Sequence, residues 1–186
     1  MPVHKADYHV VPAQMICFSI SFCLAVVTAF IHGVHAEMLF KLKDVFFITG
    51  ATLLSIKLTR DGWEMPAAGL ILLAIGWAVI FAATDFFGQK AAIDMLSSAF
   101  YFIFPAMILI TFYKPFYLWI KILCWVCIVN FLLMLIKKIY FPELIFNIII
   151  VGINITIIHI VSLAWGFFFL FKHRKEKIND RIKLTQ

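Results

Sequence analysis

Two histidines three residues apart, His32 and His35, are followed by Glu37 and then Asp44, and two further acids, Asp85 and Asp94, flank the Phe87-Gly88-Gln89-Lys90 break between apolar runs. Histidines at i and i+3 share a helix face, a spacing compatible with metal ligation. A histidine beside a carboxylate can also relay a proton or serve as a general acid–base pair. If the apolar runs are membrane helices, topology gathers these groups at one rim. His32, His35 and Glu37 then close the first run, Asp44 opens the second, Asp85 closes the third and Asp94 opens the fourth. The ordinary reading of the same acids is solvation at loop ends.

The first run adds a stripe. Gln14, Phe18, Ser21, Ala25, Thr28, His32 and His35 follow one another at alternating steps of four and three, which places them on one helix face. Lipid does not tolerate such a face, so it must turn toward protein or a wet cavity. It is either a packing seam, each polar contact contributing about 0.6 kcal/mol, or the lining of a solute or proton path. Gly152, Thr156, His159, Leu163 and Gly166 repeat the spacing in the last run. The candidate polar site is therefore His32, His35, Asp85, Asp94 and Thr28, and the candidate seam is Gln14, Ser21, Thr156 and His159. With the last run starting near residue 144, His159 lies about 22 Å from its external end at about 1.5 Å per residue. That depth sets it apart from His32 as a hydrogen-bonded packing histidine in the cytoplasmic half. Cys124-Trp125-Val126-Cys127 is a C-x-x-C inside apolar helix and reads as a packing pair, since free cysteine behaves as a small buried hydrophobe. The chain contains no Walker A loop, no H-E-x-x-H and no G-x-S-x-G.

These groups sit in an unusual solvent. Of 186 residues, 64% are apolar and only 14% charged, and mean hydropathy is +1.01. Soluble domains are about 25% charged, and a soluble globule of this size has too much surface to cover with so few charges. Disorder demands the opposite composition. The expected fold class is all-α: a polytopic transmembrane bundle forming a single domain, with spans near 10–34, 38–58, 65–87, 91–113, 116–136 and 144–171. Run 38–58 carries Lys41, Lys43 and Asp44, so five spans result if it lies on the surface. A β-barrel would show sustained alternation over about ten residues per strand, and none is present. Val34-His35-Ala36 fits a signal-peptide cleavage pattern, but the apolar run before it exceeds the usual length of roughly 7–15 residues, so it is expected to stay as a span.

The net charge of +6 is read as positive-inside bias rather than nucleic-acid binding. With six spans, 11 Lys and Arg fall on the side of the termini and five on the other, the tail supplying six of the 11. Both termini are then cytoplasmic in an integral (in a bacterium, inner) membrane. The basic tail, 172–186, would attract anionic lipid headgroups. Lacking a catalytic motif, the chain reads first as a non-enzymatic accessory, sensory or ligand-binding bundle. The alternatives are a small-solute or proton transporter using the His/Asp rim, and a metal-dependent intramembrane hydrolase or oxidoreductase. A second membrane protein or another copy of the chain remains open as a partner, and the residues specify no cofactor.

Overall fold

Backbone groups in hydrocarbon have no water to bond, so each apolar run must satisfy its own N–H and C=O groups, and helices do so within one segment. The computed structural model describes residues 7–28, 30, 34–83, 89–140 and 148–184, and within them leaves the side chains of 7–8, 34–36, 89–97, 138, 148–152, 176–177 and 179–184 undescribed. Among the described residues it is all-helical, without strands. The helices are α1 (Asp7–Thr28), α2 (Val34–Arg60), α3 (Glu64–Ala83), α4 (Gln89–Thr111), α5 (Leu118–Tyr140) and α6 (Ile148–Leu184). Within α1, α3, α5 and α6, four segments are long and apolar enough to cross a membrane, and α4 holds a shorter apolar stretch, Ser98–Thr111.

The largest departures from the sequence reading are at two boundaries. α1 stops at Thr28 rather than 34. The Thr28 hydroxyl bonds the Ala25 carbonyl at 3.1 Å, and Phe30 N–H bonds the Val27 carbonyl, a local side-chain bond and a turn that compete with further helix. α6 runs on through the expected tail to Leu184, 37 residues in all. That is about 55 Å at the usual rise, well beyond the hydrocarbon thickness of about 30 Å.

The end of α2 is written in its residues. Gly62 adopts φ 77°, the left-handed conformation that glycine takes without a Cβ penalty. Trp63 N–H reaches the Leu58 carbonyl and Gly62 N–H the Thr59 carbonyl, which makes a Schellman cap. Lys57 closes the turn on Asp61 at 2.7 Å.

The helices pack in chain order, and α6 closes the ring on α1. Neighbours run antiparallel: Phe18 meets Phe47 while the later Ser21 meets the earlier Lys43, and Gly69 meets Ala106 while Gly76 meets Ala99. α2 packs on both α1 and α3 and buries Phe47, Ala51 and Leu54 completely. Tyr113 is also fully buried. It packs edge-on against Trp63 and Phe116 and accepts a hydrogen bond from Lys172 Nζ at 3.1 Å. Tyr117, Trp119 and Tyr140, by contrast, are exposed.

Candidate functional site

Nine and ten residues into α2, Lys43 and Asp44 are each only 2% exposed. Adjacent helical positions point about 100° apart, so the pair meets only because the lysine stem bends back. Its Nζ lies 3.2 Å from Asp44 Oδ1 and 3.6 Å from the centroid of the Phe40 ring. From α3, Trp77 Nε1 donates to the same Asp44 oxygen at 2.9 Å. From α1, Ser21 donates to the Lys43 carbonyl at 2.9 Å. Two helices, α1 and α3, are thus tied to one turn of α2.

His159 completes the group from α6. Its ring lies 5.2 Å from that of Phe47 and 5.4 Å from that of Trp77, while Phe47 and Trp77 stack at 4.2 Å. His159 Nδ1 bonds the Ile155 carbonyl at 2.8 Å, and Nε2 is buried without a protein partner. A cleft of about 350 Å³ opens beside this cluster. Phe22 and Thr28 line it from α1, Phe40 and Lys43 from α2, Thr156 and His159 from α6. Its volume is at the small end of ligand pockets, about 300–1,000 Å³.

The expected site residues separate accordingly. Gln14 and Ser21 are buried on α1; both ends of the Gln14 amide lack a protein partner, whereas Ser21 joins α1 to α2. Thr156, expected in a buried seam, is exposed and lines the cleft with Thr28. Among the described residues of α6 the buried polar positions are Asn154, His159, Ser162 and His173. His35 cannot continue the α1 stripe, because it belongs to α2. Asp94 lies on α4 with its side chain undescribed, while His32 and Asp85 lie outside the described residues. His159 lies 11 residues beyond Ile148, the first residue of α6. It is then about 16 Å from the start of its helix, and Lys43 is about 14 Å from the start of α2. The two sit at one level.

Sequence reasoning placed Asp44 among the acids of the rim, read Lys43 as a polar interruption of its run, and missed the pair as the centre of the cluster. The signal was available: two opposite charges side by side in a run with a long apolar continuation, Val45 to Ile56. Among the described residues, no three His, Cys, Asp or Glu side chains come together as a metal site. All four cysteines are free, and Cys124 and Cys127 are fully buried in α5. A second cleft, of about 370 Å³, lies between the start of α5 and α6, with walls of apolar and aromatic side chains such as Trp119, Leu163 and Phe167. No protein-family model, no curated protein and no solved structure matches this chain.

One prediction arises directly. Ser21→Ala removes a side-chain tie from α1 to the Lys43 turn while leaving the apolar contacts intact. It should destabilise the purified protein by about 0.5–1.5 kcal/mol, the scale of one net hydrogen bond, read from unfolding in dodecyl maltoside.

Proposed function

We propose that this chain is a six-span integral membrane protein that binds a small amphiphilic ligand in the cleft between α1, α2 and α6 and does no covalent chemistry on it. The observation that carries this reading is the cleft itself. It is apolar along most of its wall and lined by Lys43, whose ammonium is buried, and by His159, whose Nε2 is buried with no protein partner. A few polar groups converging on an apolar pocket are the usual form of a ligand site. Cleft-filling by Ala25→Phe, at a half-buried lining position, tests it. The variant should keep its fold and lose at least tenfold in photolabelling by a diazirine-bearing alkyl probe in vesicles. Unchanged labelling would remove the cleft as the binding site.

α2 is the sixth span in this reading. Its charges near the ends, Glu37, Lys41, Lys57 and Arg60, can reach the interfaces, and its two central charges pair with each other. The basic residues of the α6 extension support a cytoplasmic position for both termini, beside anionic lipid, by positive-inside bias. A green fluorescent protein fused after Gln186 should fluoresce and alkaline phosphatase fused there should be inactive; the reverse pattern inverts the topology.

The buried Lys43–Asp44 pair favours a second reading, a proton or solute path, since ionisable groups at membrane depth are commonly part of one. Proteoliposome flux by the unaltered chain that disappears in the double variant Lys43→Met, Asp44→Asn, in protein that remains folded, would select it over binding alone.

A further inference from the structure

We infer that the ligand of this cleft carries a hydroxyl group, which donates to His159 Nε2 and accepts from Lys43 Nζ; the inference rests on the ligand-binding reading above. The argument begins at the other ring nitrogen. His159 Nδ1 lies 2.8 Å from the Ile155 carbonyl oxygen. A carbonyl only accepts, so Nδ1 carries the hydrogen. In the neutral ring Nε2 then bears a lone pair and can only accept. It is buried and has no protein partner, and a buried acceptor left unmet is costly. Whatever fills the cleft gains by offering a donor there.

The second polar group on the cleft has the opposite need. The Lys43 ammonium has three donors and no acceptor. Asp44 takes one of them, and the Phe40 ring lies against the ammonium. A ligand oxygen with a lone pair completes it. One atom type meets both needs, because a hydroxyl donates once and accepts twice. An ionised carboxylate or phosphate has only acceptors, so it would leave Nε2 unmet and would add a second anion beside Asp44. A hydrocarbon or an ether also leaves Nε2 unmet. The remaining wall, Phe22, Ala25, Val26 and Ile155, suits an alkyl body. The class is therefore a neutral amphiphile with a hydroxyl head, which fatty alcohols and monoacylglycerols share.

The test uses the full chain in phosphatidylcholine vesicles with a diazirine-bearing decanol as photolabel. Decanol, decyl methyl ether and decanoate compete in separate arms, and labelled residues are mapped by mass spectrometry. Decanol should displace the label from the cleft at a membrane mole fraction about tenfold lower than the ether, the scale of one buried polar partner left unmet. His159→Phe should remove that preference, and His159→Gln, which retains an acceptor, should keep it. Equal competition by the ether would overturn the inference, water rather than ligand then meeting Nε2. Decanoate as the strongest competitor would also overturn it, the head group then being an anion read by Lys43. In both cases label still blocked by Ala25→Phe leaves the cleft reading standing. Labelling indifferent to Ala25→Phe overturns both. The comparison of alcohol with ether on the unaltered chain needs no variant to fold.

Discussion

Asp44→Asn should destabilise the protein by about 3–5 kcal/mol, although it changes one atom and keeps an acceptor for Trp77. The reason is the neighbour it abandons. Lys43 is 2% exposed, and its counter-charge is 3.2 Å away. A buried pair broken from one side leaves an uncompensated charge, and that penalty is larger than the net worth of the pair. The double variant Lys43→Met, Asp44→Asn should therefore recover most of the loss and come within about 1 kcal/mol of the original, since replacing a whole buried pair by groups of similar volume is often neutral. Lys41–Glu37 supplies the contrast. That pair is 3.8 Å apart with the Glu37 side chain 63% exposed, so Glu37→Gln should cost well under about 1 kcal/mol. Denaturant titration in dodecyl maltoside reads all three. A double variant as weak as Asp44→Asn would mean that the Lys43–Asp44 contact is not what the turn of α2 depends on.

The apolar runs gave the helix count because hydrocarbon leaves no other way to satisfy backbone groups. The same logic gave the polar face of α1 as far as Thr28: Gln14, Phe18 and Ser21 are buried where the four-and-three spacing put them. It failed beyond Thr28 because periodicity carries no stop signal of its own. Extending the stripe to His35 therefore assigned a residue of α2 to α1. Depth was also sensitive to boundaries. Moving the start of α6 from 144 to Ile148 shifts His159 by about 6 Å, enough to bring it level with Lys43. The pairing of Lys43 with Asp44 and Trp77 could not be read from spacing, because adjacent positions on a helix do not face each other. Only the bend of a long side chain toward its neighbour makes that contact.

Gly69→Val should be the most damaging single change at a helix contact, costing about 3 kcal/mol or more, with Gly69→Ala losing about 1–3 kcal/mol by overpacking. A Cβ at Gly69 would stand 2.8 Å from the Ala106 carbonyl oxygen, 2.9 Å from Leu109 Cβ and 3.0 Å from Ile110 Cγ1. Two of those atoms are backbone or fixed to it, so α4 must move as a body. Gly76, one heptad on, meets Ile103 Cγ1 at 2.8 Å but the Ala99 carbonyl only at 3.3 Å. A side-chain rotation relieves most of that clash, and Gly76→Ala should cost less than Gly69→Ala. At Gly166 the nearest atom is Met15 Sδ at 2.7 Å, with Phe18 Cδ2 next at 3.5 Å. Methionine is unbranched and adapts, while alanine gains up to about 1 kcal/mol over glycine in a helix. Gly166→Ala should therefore be nearly neutral. The three alanine variants share one chemical change, so their order in thermal unfolding isolates how far each neighbour can yield. Equal losses at all three would mean that helix propensity or lipid contact, and not the closeness of α3 to α4, sets the response.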